Sequence, residues 1–130
     1  EPLKAIAFCC QHNFFSAFKY AFTGIFRFFK TDRNGRIELV CAIIISALAF
    51  YFKCNSSEWI SILLCIALVI GLEMINSALE KICNLIQPGF DKNIQYIKDV
   101  AAGAVLICSI IAAIVAAIIF FPKICTLFSF

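Results

Sequence analysis

Apolar residues run in three long blocks separated by short polar segments, and a shorter block ahead of them alternates with helical period. Over residues 14–30, Phe18, Phe22, Ile25 and Phe29 recur at i, i+4, i+7 and i+11, while Lys19, Thr23, Arg27 and Lys30 gather opposite. That arrangement predicts an amphipathic helix lying along a membrane surface, its basic face toward lipid headgroups. A polar hinge follows, Thr31-Asp-Arg-Asn-Gly-Arg36, containing the turn dipeptide Asn34-Gly35. The first long block predicts a span over residues 37–53, short for about 30 Å of hydrocarbon unless its helix begins inside the hinge. Lys53-Cys-Asn-Ser-Ser-Glu58 reads as a tight connection in which Ser56 or Ser57 caps the next helix and Trp59 sits at the interface.

The second block predicts a helix from Trp59 to about Ile86, its span over residues 59–83 and its last turns emerging from the bilayer. Pro88 and Gly89 then break the chain. The third span covers residues 100–121, starting after Lys98-Asp99 and ending at Pro122, with Ala101-Ala-Gly-Ala104 offering small residues for close helix packing. The expected fold is an all-α membrane protein: an N-terminal interfacial helix and three transmembrane helices in one membrane domain, residues 1–130, without internal repeats.

Composition agrees. Of 130 residues, 63% are apolar and only 15% charged, too few polar groups for a soluble domain of this size. The net charge of +3 matters less than its placement. Lys4, Lys19, Arg27, Lys30, Arg33 and Arg36 precede the first long block, and Lys81, Lys92 and Lys98 flank the second connection. The positive-inside rule therefore puts the N-terminus and second connection in the cytoplasm, and the first connection and C-terminus outside. No cleavable signal peptide is expected, because a long basic segment precedes the first span.

The eight cysteines include no C-x-x-C pair, and Cys41, Cys65 and Cys108 fall inside apolar runs, so they read as small buried hydrophobes. The pair Cys9-Cys10 offers a possible acylation site near the membrane. His12 is the one histidine, which argues against a histidine-based metal site.

One feature of the second span has no bland counterpart in ordinary lipid-facing helices. Glu73, Asn76 and Glu80, at offsets of 0, 3 and 7, share a helical stripe less than about 70° wide. A carboxylate inside a span is costly, so such a stripe usually faces a site. Topology brings that stripe, Lys98-Asp99 and the hinge Asp32 to the cytoplasmic boundary. Carboxylates there suit Mg²⁺, which takes one or two of them together with phosphate oxygens. Lys98 offers a point charge to a phosphate. Glu73 is the deepest acid, and desolvation disfavours the charged form there, as a general base near neutral pH requires. A lipid hydroxyl lies at about the same depth. Each group also has a structural reading, such as an inter-helix ion pair of Glu80 with Lys98. Soluble-kinase signatures are missing: there is no Walker pattern, H-R-D or D-F-G.

At these residues the chain resembles the bacterial integral-membrane diacylglycerol kinase and undecaprenol kinase family. The resemblance rests on Phe18-Lys-Tyr-Ala-Phe-Thr-Gly24, Phe29-Lys-Thr-Asp-Arg-Asn34, Leu72-Glu-Met-Ile-Asn-Ser-Ala-Leu-Glu80 and Ile97-Lys-Asp-Val-Ala-Ala-Gly-Ala-Val-Leu106. It spans about residues 14–124. It implies a homotrimer in the bacterial inner membrane with sites at subunit boundaries, moving the ATP γ-phosphoryl group to a lipid hydroxyl, with no nucleic-acid partner. By that resemblance Glu73 is the catalytic base and contacts the lipid alcohol, with Asn76 in support. Glu80 and Asp32 hold Mg²⁺, and Lys98, Asp99, Tyr20 and the loop Gly89-Phe90-Asp91 lie against the nucleotide. The interfacial helix forms a shelf along which lipid reaches the site.

This chain departs from the family pattern at four places. Asp32 replaces the usual Glu and is one methylene shorter. Gln87-Pro-Gly-Phe90 replaces S-P-E-[YH], so Gly89 lacks an acidic side chain. Asn84 stands where many relatives carry Asp, and Asn13 where the Gram-negative type has Arg. The hinge and overall pattern look more like the undecaprenol-kinase branch. Two other functions fit the residues less well. A small transporter or channel using Glu73 as a proton or cation site is disfavoured by three spans without inverted repeats. A non-catalytic scaffold has no use for an acidic stripe.

Overall fold

The computed structural model describes residues 14–128, so Cys9, Cys10, His12 and Asn13 lie outside the described residues. Four helices follow in order: α1 (Phe14–Thr31), α2 (Arg33–Tyr51), α3 (Ser56–Ile86) and α4 (Lys92–Phe128). Of the described residues, 14–32 belong to one compact unit and 33–128 to another. Helices α2, α3 and α4 are each long and apolar enough to cross a membrane.

In the first unit, α1 satisfies its two threonine hydroxyls along its own backbone. The Thr23 and Thr31 hydroxyls donate to the carbonyls of Lys19 (2.8 Å) and Arg27 (2.7 Å). The Asp32 amide donates to the Phe28 carbonyl at 2.8 Å and closes the last turn.

The break ahead of α2 is tighter than the hinge sequence implies. Only Asp32 is non-helical, and Asn34-Gly35 lies inside the first turn of α2 rather than forming a turn. The physical reason is length. Starting at Arg33 gives 19 residues, or about 28 Å of rise, close to the hydrocarbon thickness.

Helix α2 ends in a Schellman motif. The Cys54 amide donates to Ala49 O (3.0 Å) and the Lys53 amide to Phe50 O (3.2 Å), with Lys53 in the left-handed region at φ 50°. A side chain costs about 1–2 kcal/mol there, which glycine does not incur. Lys53→Gly is therefore expected to stabilise the folded protein by about 1 kcal/mol, read as a rise in the detergent-unfolding midpoint; an unchanged or lower midpoint contradicts the assignment.

Asn55, not Ser56 or Ser57, caps α3. Its side-chain oxygen accepts from the Glu58 amide (2.9 Å), and its own amide donates to Glu58 Oε2 (2.8 Å). Two orphan donors are satisfied at once, which neither serine achieves without an acid three residues on. The same Glu58 Oε2 lies 3.1 Å from Lys123 Nζ of α4. Burial, and next the Glu58 carboxylate, push the nearby Cys54 thiol up, so it stays protonated at neutral pH.

Pro122 does not end α4, which continues to Phe128. The turn beyond it is tied down by Lys123–Glu58 and by the Thr126 hydroxyl, within 3.0 and 2.8 Å of the Pro122 and Lys123 carbonyls. Such contacts compensate for the amide that proline lacks. Below it lies the core of this unit: Ala49 is fully enclosed, Ile62, Ile119 and Phe120 are buried, and Phe52 and Trp59 pack against them. Trp59 thus takes part in this packing.

Helix α3 packs on both α2 and α4. Within the Ala101–Ala104 run, Gly103 makes no close approach to another helix of the chain, since a Cβ there meets nothing within 4 Å. The cysteine reading also needs correction. Among the described residues no disulfide forms, and of the six cysteines Cys83 is buried while Cys41 and Cys125 are exposed. Three helices enclose little interior, so many apolar positions, Cys41 among them, face outward, and Cys65 and Cys108 are only half-buried.

Candidate active site

The polar stripe of α3 is graded in exposure. Glu73 is only 3% exposed, Asn76 is half-buried and Glu80 is exposed. Glu73 is therefore enclosed by the protein itself. Its seven-residue separation from Glu80 corresponds to about 10 Å along the helix. Among the described residues, Glu73, Asn76 and Glu80 have no hydrogen-bond or ion-pair partner. A polar row without mutual pairing is poor structural glue. It leaves these groups open to a ligand.

The stripe continues outward by one turn to Asn84, and there it meets α4. Lys98 Nζ donates to Asn84 Oδ1 at 2.7 Å. The Glu80–Lys98 ion pair contemplated from sequence is not made; an amide takes its place, because the α3–α4 packing sets Lys98 beside position 84. Lys98 and Asp99 also do not mark the start of α4, which begins six residues earlier at Lys92. Asp99 Oδ1 accepts from Gln95 Nε2 at 2.7 Å, one turn back on the same helix.

Residues 87–91 form the α3–α4 connection. Asp91 caps α4, its Oδ1 accepting from the amides of Asn93 (2.8 Å) and Ile94 (3.1 Å). Gly89 does not have a positive φ, and a Cβ there would touch nothing closer than Gln87 Nε2 at 4.0 Å. The backbone therefore leaves room for a side chain. Phe90 is exposed. Tyr20, exposed on α1, and Asp32, half-buried after it, belong to the N-terminal unit.

Inward from Glu73 the same face of α3 becomes apolar and lines a cavity of about 310 Å³ among α2, α3 and α4. Ile62, Ile66 and Val69 of its wall lie within about 80° of Glu73, Glu80 and Asn84 on the helical wheel. Glu38 of α2 and Ser109 of α4 are its polar members. Glu38, with its Oε2 buried, was passed over in the sequence. The signal was present: it is the one charged residue in the apolar run from Ile37 to Phe52.

The residues present fit a hard divalent cation. Glu80 offers an exposed carboxylate oxygen, and such an ion needs only one or two of these beside phosphate oxygens and water. Within the three-helix unit, no three acidic, cysteine or histidine side chains among the described residues gather into a protein-only cage.

Comparison with known proteins supplies the remaining evidence. The family described as prokaryotic diacylglycerol kinase matches residues 19–120. Undecaprenol kinase of Bacillus subtilis is 32% identical over 112 residues, covering 86% of this chain and 91% of that protein. Diacylglycerol kinase of Synechocystis sp. is 30% identical over 128 residues, covering 98% of this chain and 73% of that protein.

Proposed function

Since this chain belongs to the prokaryotic diacylglycerol kinase family, we propose that it transfers the γ-phosphoryl group of MgATP to the hydroxyl of a membrane lipid alcohol, of diacylglycerol or undecaprenol type. The reaction takes place at the cytoplasmic face of a bacterial inner membrane. The observation that carries this reading is the graded stripe: a buried Glu73 in line with an exposed Glu80 and a Lys98 held at its outer end. In this reading Glu73 accepts the proton of the lipid hydroxyl while that oxygen forms a bond to the γ-phosphorus and the bond to the β–γ bridging oxygen breaks, releasing ADP. Asn76, one turn outward, orients the hydroxyl or the transferred group. Lys98 neutralises phosphate charge, and Asp99 and the Gly89-Phe90-Asp91 loop bound the nucleotide. Glu80 would hold Mg²⁺, which would supply charge neutralisation across the phosphates. Positioning and electrostatics dominate phosphoryl transfer, so so few residues suffice.

The apolar cavity beyond Glu73 gives the first part of a lipid chain room beside the base. The exposed apolar faces of the three spans, including Leu63, Leu68 and Ile75 of α3, suit assembly with further copies in a homotrimer. The amphipathic α1 lies along the interface with its basic face to headgroups.

The test is direct. Purified protein in mixed micelles with MgATP and either diacylglycerol or an undecaprenol-type alcohol is expected to yield the phosphorylated lipid and ADP in equal amounts. No phosphorylated product from either alcohol, together with cation flux in vesicles, would turn the reading to transport.

A further inference from the structure

Among the described residues Asn84 is the one member of the α3 polar stripe that hydrogen-bonds to another helix, and its partner is the cation assigned to the nucleotide. Lys98 Nζ donates to Asn84 Oδ1 at 2.7 Å, across fourteen residues of sequence. Among the described residues Lys98 has no carboxylate within ion-pair distance. Its neighbour Asp99 is bonded to Gln95 instead, and adjacent residues on a helix point apart. Glu80, one turn below Asn84, makes no bond to it either. The ammonium is therefore held in place by a neutral acceptor.

That choice has a consequence. A lysine side chain ends four flexible carbons, and fixing its ammonium needs a partner. A carboxylate partner would fix it but would also offset its charge, in competition with any incoming phosphate. An amide oxygen orients the ammonium and leaves its full charge available. We propose that Asn84 is a positioning residue that presents an un-neutralised Lys98 to the nucleotide phosphates at the outer end of the α3 stripe. This rests on the nucleotide-binding role given to Lys98 above.

The experiment measures equilibrium MgATP binding in detergent micelles by titration calorimetry, on the full chain and on N84D, N84A and K98M, at low and high salt. It does not require turnover. N84D should weaken MgATP binding roughly tenfold at low salt, the order expected for one like charge a few ångströms from a phosphate at a screened boundary. High salt should bring the ratio of N84D to parent dissociation constants toward one. N84A, which loses orientation but adds no charge, should weaken binding only about two- to threefold with little salt dependence. A merely structural role for Asn84 would lower the unfolding midpoint in both variants without a salt-dependent N84D effect.

If K98M loses MgATP affinity while N84D binds as the parent does at low salt, the proposal is overturned and the kinase reading stands. If K98M binds MgATP as tightly as the parent, or the parent does not bind it, the assignment of Lys98 fails and this proposal with it.

Discussion

Glu73→Gln is expected to lower the rate of lipid phosphorylation at saturating substrates by about 10³-fold, within the range a positioned general base contributes. The amide has nearly the same shape but does not accept the hydroxyl proton. The loss corresponds to about 4 kcal/mol of transition-state stabilisation. Two accompanying measurements separate chemistry from structure. MgATP affinity should stay within about twofold, because Glu73 lies about 10 Å of helix rise from Glu80. The unfolding midpoint should hold or rise, because Glu73 is buried without a hydrogen-bond partner among the described residues, and a neutral amide costs less to bury than a carboxylate. A variant that keeps parental turnover removes Glu73 as base. One that loses turnover only because it unfolds assigns Glu73 to the fold instead.

The second large effect is on the metal requirement. Glu80→Gln is expected to raise the Mg²⁺ concentration for half-maximal activity about tenfold, with turnover at saturating Mg²⁺ reduced only a few-fold. Glu80 is exposed and makes no bond to Lys98, which is committed to Asn84. Removing its charge therefore breaks no ion pair and should leave the unfolding midpoint unchanged, so a metal effect is not confused with a packing effect. Mn²⁺ binding followed by electron paramagnetic resonance in the presence of ATP should weaken in parallel. A Mg²⁺ dependence identical to the parent's would take Glu80 out of the metal site. A fall in midpoint would return it to a structural role.

Much of this was legible residue by residue. The α3 helix was placed to its last residue, Ile86, because Pro88-Gly89 is a strong local stop. The acidic stripe was legible because Glu73, Asn76 and Glu80 are brought into line by helical period alone. Asn55 and Glu58 also carried their capping box openly in the sequence; two adjacent serines, equally good cap formers, masked it. Pro122 was misread because proline's local cost says nothing about Lys123–Glu58 or Thr126, contacts that hold the turn beyond it. Glu38 was visible as a charge in an apolar run, but nothing in α2 by itself aims it at a cavity shared with α3 and α4.

The sequence by itself determined the four helices of the described residues, their approximate ends and the alignment of polar groups along α3. A bilayer makes hydrophobic length decisive, and a helix makes spacing equivalent to direction, so both are one-dimensional facts. Only the tertiary structure decided that Lys98 meets Asn84 rather than Glu80, that the core gathers around Ala49, Ile62 and Phe120, and that an apolar cavity continues the face of Glu73. Those outcomes depend on how far each helix is rotated and shifted against its neighbours. That is set by side chains distant in the chain, and no local period encodes it.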